Sequence, residues 1–439
     1  MITSELDPFF VRGGIAYATR RLADQLTALG INTRVLLPGW VDTRGQNLAP
    51  LLTPLALPMR ADLGIASRAQ RYSQFCQAAF GAIKQIGTTS DPVIAHGDEG
   101  AMFIALRNGN RSTGPTVFWL HTLYDPPFCG FPKAQLRALP AASLLASAVM
   151  MADIVVTSSG ILKDARDFEW PEGLRELQSA LMSASAENRV LTVESVGCLP
   201  ELSRDSHDKC DRISNYAGLK NVPSPYVLFP SRPTINKGLG IFAAIADRLQ
   251  KDNIACVALR PPMHAEKLEG PPRESPVYWL PWLSQEELST AMRNAACTVL
   301  PSLSEGFGLT AAESIRLGVP TLYHPVGGHH CLPAVPNALP ISLTTSERAS
   351  FYRLWSELSV DPSESWSTWK RYENPLKPLI NKWVEAIRCA ISRADSPGAL
   401  TQNISLGGMI LDDERWANKL RHRIEMNGSS KVSVSAARP

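Results

Sequence analysis

The stretch from Ala296 to Gly328 constrains this chain more than any other. Cys297 to Leu300 is a short apolar strand, followed by a loop, a helix from Thr310 to Leu317, a stop at Gly318 and a second strand from Val319 to Tyr323. Strand, helix and strand in that order form the repeating unit of a parallel sheet. Ligands of such sheets gather where strands end and helices begin. In the loop, Gly306 and Gly308 flank Phe307. Without side chains at those two positions, a ligand can lie against backbone N–H groups at a helix N-terminus, where anions are favoured.

Two carboxylates belong to the same unit. Glu305 stands in the loop and Glu313 lies about one turn into the helix. A carboxylate can accept from two neighbouring hydroxyls of a diol, and charge-assisted bonds are the stronger kind. One loop carboxylate and one helix carboxylate beside a phosphate cradle would therefore grip a sugar on one side and a ribose on the other. The plainer alternative is a loop acid and a solvated helix acid. A glycosidase pair is another use of two acids, disfavoured because one of the two rides on the helix of a phosphate-type loop.

Glu305-Gly306-Phe307-Gly308-Leu309-x-x-x-Glu313, followed by Gly318-Val-Pro and Gly327-Gly328, resembles the donor-site signature of the retaining GT-B glycosyltransferases of family 4 and is similar to the glycogen and starch synthases. The resemblance implies an α/β protein of GT-B type, with two Rossmann-like doubly wound parallel-sheet domains facing a central cleft. It implies that Glu305 holds the donor sugar and Glu313 the nucleotide ribose, with Gly306, Phe307, Gly308 and Leu309 forming the donor loop. The family often has a further Glu soon after the Gly-Gly; here His329 and His330 follow.

Earlier in the chain, Tyr226 to Phe229 is an apolar strand, and Pro230-Ser-Arg232-Pro-Thr-Ile-Asn-Lys237-Gly238 runs from it into a helix from Ile241 to Leu249. Two cations beside a positive helix end make a site for a diphosphate. The spacing resembles the family's Gly-Arg-x-x-x-x-Lys-Gly, with Ser231 in place of the first Gly. The resemblance implies that Arg232 and Lys237 neutralise the leaving diphosphate. Gly13-Gly14, ahead of a helix from Tyr17 to Leu29, resembles the Gly-Gly loop that closes over the donor diphosphate, with Arg12 standing in for the synthases' Lys. By their spacing alone those two glycines are equally a plain turn.

Two strands each finish on a histidine: Pro92 to His96, and Thr116 to Leu120 ahead of His121. That puts both imidazoles at the ligand-facing rim of a parallel sheet, although a lone histidine is often structural. The His121 segment resembles the family loop whose histidine stabilises positive charge on the anomeric carbon. His96, Tyr124 and Asp125 are the acceptor-side candidates, the latter two in a Pro-rich loop of the kind that varies on a fixed scaffold. With no Asp or Glu placed as an obvious nucleophile, an internal-return route fits, in which the leaving phosphate takes the acceptor's proton.

The chain has 439 residues, more than one ordinary core accommodates. The expected layout is an N-terminal Rossmann-like acceptor domain (1–205), a linker (206–225), a C-terminal nucleotide-sugar domain (226–375), a helix crossing back (376–393) and a partly disordered tail (396–439). Residues 38–58 read as irregular. The net charge of +3 is too small to imply nucleic acid. The eight cysteines form no C-x-x-C and the eight histidines no metal-ligand spacing, so no metal or cofactor is expected beyond the nucleoside diphosphate sugar and a hydroxyl acceptor. No apolar run reaches transmembrane length, and a cytoplasmic protein is expected, with action at the inner face of a membrane allowed. A sugar synthase or phosphorylase, or a non-catalytic nucleotide-sugar-binding module, remains the alternative.

Overall fold

The computed structural model describes residues 1–3, 14–38, 52–57, 68–85, 90–109, 114–121, 141–170, 174–193, 222–233, 237–259, 276–281, 283–360, 370–394 and 413–436. The chain divides into two compact units. The first comprises Met1–Tyr124, Arg137–Cys198 and Ile410–Pro439; the second comprises Asp125–Leu136 and Leu199–Met409.

In the first unit, β1 (Thr33–Pro38), β2 (Leu52–Leu57), β3 (Val93–His96), β4 (Thr116–Leu120), β5 (Ile154–Ser158) and β6 (Val190–Val193) are the strands, and every pairing among them is parallel. β3-β4-β5-β6 lie side by side, and β1 pairs β2. Ile2 bridges Leu36 on one side and Ala95 on the other, both in parallel sense. Its N–H donates to the Ile94 carbonyl at 2.8 Å, and its carbonyl accepts from the His96 N–H at 3.0 Å. Residues 1–3 therefore fill the place of a central strand.

The region 38–58 is not wholly irregular: β2 lies within it, with Pro54 opposite Val35. Among the described residues β2 pairs only β1, and an edge strand tolerates a proline that an interior strand would not. Two helices, Ser159–Asp167 and Arg175–Ala186, lie between β5 and β6. The Gln178 side chain fastens the turn between them, donating to the Ala165 and Phe168 carbonyls at 2.7 Å each and accepting from the Trp170 N–H at 3.0 Å.

The second unit holds β7 (Tyr226–Phe229), β8 (Ala255–Leu259), β9 (Val277–Leu280), β10 (Cys297–Leu300), β11 (Thr321–Tyr323) and β12 (Ala338–Pro340) in the order β12-β11-β10-β7-β8-β9, all parallel. β7, β8 and β10 are buried throughout, as strands covered on both faces must be. The chain steps from β7 outward to β8 and β9, then returns to β10 and steps the other way. β7 and β10 thus flank the point where strand order reverses, the usual ligand position of such sheets.

Helix Leu239–Leu249 covers this sheet, and helix Lys377–Ala394 packs against it and against β10 and β11. Leu379, Ile380, Trp383, Val384 and Ile387 enter the same core as Phe229 and Phe242. The helix expected to cross back over residues 376–393 thus lies in the second unit, where its apolar face is covered. Helix Asp413–Ala436 belongs to the first unit instead. It packs on helix Gly14–Ala28, its Trp416 ring sits 5.0 Å from that of Trp119, and Arg423 donates to the Asn188 carbonyl at 2.8 Å. This helix, as far as Ala436, lies within the tail expected to be partly disordered. Packing of its earlier turns supplies what local propensity lacks.

Buried hydroxyls fix helix Leu309–Arg316 to the sheet. Ser314 Oγ lies 2.6 Å from Thr298 Oγ1 on β10 and accepts from Thr321 Oγ1 on β11 at 2.9 Å. Asn337 Nδ2 donates to the Ile315 and Val319 carbonyls at 2.8 and 3.2 Å, closing the helix end. The loops after β10 and β11 touch through backbone. Gly327 has φ +49°, and a Cβ there would overlap the Glu305 carbonyl oxygen; that same oxygen accepts from the Gly328 N–H at 3.2 Å.

Replacing Ser314 by Ala leaves two buried threonine hydroxyls without their shared partner. The expected loss is about 1–3 kcal/mol of unfolding free energy in urea titration. Gly327→Ala meets both a left-handed backbone and a backbone overlap, and should destabilise by about 2–4 kcal/mol in the same measurement.

Candidate functional site

The loops that leave the C-terminal ends of β7 and β10 carry the charged residues singled out by sequence. Lys237 Nζ lies 3.0 Å from Glu305 Oε1 and 3.5 Å from the Ser304 carbonyl. Ser302 Oγ donates to the same Glu305 oxygen at 2.7 Å. Burial alone would push the Glu305 carboxyl up, but Lys237, nearby His329 and the Ser302 hydroxyl together hold it below the usual carboxylate range. Glu305 is therefore an anion at neutral pH, matched to one cation and one hydroxyl.

Two helices begin at this cluster. Leu239–Leu249 starts two residues after Lys237, and Leu309–Arg316 starts after Gly308. Each N-terminus brings partial positive charge and free N–H groups. Gly306 and Phe307 are half-buried in the intervening loop, Glu313 is half-buried in the second helix, and Arg232 is half-buried in the loop after β7. An anion such as a phosphate, next to a group bearing several hydroxyls, suits this combination of charges.

His329 stands in a single helical turn, Gly327–Cys331. Its ring covers Gly308, where a Cβ would overlap Cδ2. Gly308 thus has a packing duty that the sequence did not disclose. His329 Nδ1 lies 2.8 Å from the His324 carbonyl, which can only accept, so Nδ1 carries the proton. Burial lowers the His329 pKa, although Glu305 pulls the other way.

In the first unit, His96 and His121 are in direct contact. His96 Nδ1 and His121 Nε2 are 2.9 Å apart, with ring centroids at 5.1 Å. Trp119 stacks on His121 at 4.9 Å and 10°, and lies 5.2 Å from His96. Burial holds both imidazoles neutral, His121 down to about 3 and His96 well below its ordinary value. One ring nitrogen donates and the other accepts. Gly14 is the first residue of helix Gly14–Ala28. Gly13, Tyr124 and Asp125, with Arg12, lie outside the described residues.

Sequence reasoning missed Ser302, His324 and His329. Ser302 alone carried a signal, because Ser-x-x-Glu is the spacing at which a hydroxyl and a carboxylate meet around a tight turn. Among the described residues no group of three or more His, Cys, Asp or Glu could hold a metal ion, and no helix is long and apolar enough to cross a membrane. Cys76, Cys256 and Cys297 are buried thiols, and none of these three, nor Cys331 or Cys389, is joined in a disulfide among the described residues.

The Glu305 pKa, depressed on folding, sets a pH dependence. Its contribution to stability is fully present above the unfolded value of about 4.3 and is lost as pH falls through the lower folded value. Thermal melting of Glu305→Gln should therefore lie below wild type at neutral pH and converge with it below about pH 4.

Residues 217–331 match the family model described as glycosyl transferases group 1. No curated protein matches the chain. Among solved structures, the catalytic domain of starch synthase IV from Arabidopsis thaliana, bound to ADP and acarbose, is 16% identical with a TM-score of 0.56, over 89% of this chain and 99% of that one. An α,α-trehalose 6-phosphate synthase from Burkholderia multivorans is 12% identical with a TM-score of 0.54, over 100% and 97%. A sucrose-phosphate synthase from Thermosynechococcus elongatus is 15% identical with a TM-score of 0.50, over 87% and 92%. With its two parallel-sheet α/β units the chain has the GT-B fold, and residues 217–331 of its second unit are similar to the glycosyl transferases group 1 model.

Proposed function

We propose that the protein is a retaining glycosyltransferase of the family 4 type, a hexosyltransferase that moves a sugar from a nucleoside diphosphate sugar to a hydroxyl acceptor. The observation that carries this reading is the Lys237–Glu305 pair, held at 3.0 Å at the strand-order reversal of a unit whose segment 217–331 matches the group 1 family.

In this reading Glu305 accepts from hydroxyls of the donor sugar and Glu313 from those of the ribose. Arg232 and Lys237, with the N–H groups from Gly306 to Leu309, take up the charge of the diphosphate. Gly13 and Gly14 are assigned to the same diphosphate, and Phe307 to the wall of the donor loop. His121 stabilises positive charge on the anomeric carbon, and His96, Tyr124 and Asp125 serve the acceptor side. The bond from the anomeric carbon to the diphosphate oxygen breaks, the acceptor oxygen bonds to the same face, and its proton passes to the departing diphosphate. Fixed dipoles and cations lower the barrier, and no metal or cofactor enters. The starch synthase neighbour is bound to ADP, which supports a nucleotide donor. The trehalose- and sucrose-phosphate synthase neighbours support a sugar-making synthase as the second reading, with a phosphorylated sugar as acceptor. A role in polysaccharide biosynthesis in the cytoplasm, at the inner face of a membrane or free of it, fits a glycan, lipid-linked or small-molecule acceptor.

Purified protein offered UDP, ADP and GDP sugars, with glycan and hexose-phosphate acceptors, should release nucleotide with at least one combination. A donor that binds but never turns over would favour a non-catalytic module. Glu313→Gln and Lys237→Ala should each lower turnover by about 100-fold or more with an unchanged circular dichroism spectrum. Wild-type turnover in either variant would contradict the assignment.

A further inference from the structure

The backbone of Ser302, the residue whose hydroxyl donates to Glu305, is itself held from within the core. Trp383 Nε1, on helix Lys377–Ala394, donates to His324 Nε2 at 3.0 Å, with the two rings edge to face. An indole N–H is only a donor, so Nε2 must be the acceptor and the proton of the neutral imidazole sits on Nδ1. His324 Nδ1 lies 3.2 Å from the Ser302 carbonyl and donates to it. Trp383, His324 and Ser302 are all fully buried. Burial brings the His324 pKa down to about 3, so no second proton disturbs this order near neutral pH.

Both loops of the candidate site converge on His324. The Ser302 hydroxyl donates to Glu305 Oε1 at 2.7 Å, and the His324 carbonyl accepts from His329 Nδ1 at 2.8 Å. A packing role alone requires a ring of this size at position 324; it does not require each polar atom to hand on direction to the next.

We propose that Trp383 and His324 are positioning residues for the donor loop: the indole fixes the tautomer of His324, His324 anchors the Ser302 backbone and the His329 ring, and Ser302 thereby aims its hydroxyl at Glu305. The chain of contacts stands by itself, and only the role of Glu305 as a sugar ligand rests on the function proposed above.

The test follows the Glu305 carboxyl in full-length protein by carbon NMR with carboxyl-labelled glutamate, the signal being identified by its loss in Glu305→Gln. Ser302→Ala should raise the Glu305 titration by about one pH unit, the effect of losing one hydrogen bond to a charged group. Trp383→Phe, which keeps a ring but drops the N–H, should raise it by a measurable part of that. His324→Leu should match Ser302→Ala, and His324→Asn, whose amide can donate to the Ser302 carbonyl, should restore the wild-type titration. If Trp383→Phe does not fold, the contrast between His324→Leu and His324→Asn decides. Where turnover is found, Trp383→Phe should raise the donor KM about fivefold with kcat within about twofold. A titration that moves in Ser302→Ala but stays at wild type in Trp383→Phe and in His324→Leu overturns the proposal. The titration needs no donor, so it separates failure of this relay from failure of the proposed activity: a shifted titration without turnover counts only against the latter.

Discussion

An acid buried but for about a tenth of its side chain must find a counter-charge, and the second unit is built so that Glu305 finds one on a neighbouring loop. Lys237 comes from the loop after β7 and Glu305 from the loop after β10. The two strands are adjacent only because the chain reverses its strand order there. A parallel sheet wound in one direction would have set β10 beyond β9 and left β7 at the edge. The ion pair thus depends on topology, and the topology in turn brings two helix N-termini to one place. Much of the Coulomb gain in such a pair is offset by desolvation. Its effect is to fix two loops in one register, with a charge pattern suited to a phosphate beside hydroxyls.

The same unit fastens its loops with buried polar contacts instead of bulk. Thr298, Ser314 and Thr321 share hydroxyls among two strands and a helix, and Asn337 closes that helix end. Each hydroxyl can donate once and accept twice, so the group is satisfied without water. Gly327 and Gly308 complete the arrangement by leaving room, one for a carbonyl and the other for an imidazole. A fixed backbone is what a site relying on electrostatic preorganisation needs, because dipoles that must turn during reaction forfeit part of their effect.

The first unit solves a different problem. His96 and His121 are buried against each other and against Trp119, and both are neutral. A neutral pair can share one proton between facing nitrogens, whereas two imidazolium ions at that distance would repel. Stacking on the indole holds the rings in place. These side chains end two adjacent strands, so their contact follows from the β3–β4 pairing.

Much of the architecture was legible in the sequence because its signals are local. Apolar runs marked β7 and β10. Ser284 and Glu287 form a capping box at the start of helix Gln285–Asn294, at the spacing such a box requires. Edge strands β2 and β12 escaped notice because Pro54 and Pro340 imitate loops, and the extent of the last helix escaped because its support is a distant helix and not its own propensity. For the site, the sequence by itself determined the residue types and their places, Arg232, Lys237, Glu305, His96 and His121 at or just after strand ends and Glu313 in the helix that follows. Only the tertiary structure decided that Lys237 meets Glu305, that the two histidines touch, and that Trp383 and His324 stand behind Ser302. The physical reason is range: a strand end is written in a few consecutive residues, whereas a hydrogen bond between residues far apart in the chain exists only once the sheet order has been chosen.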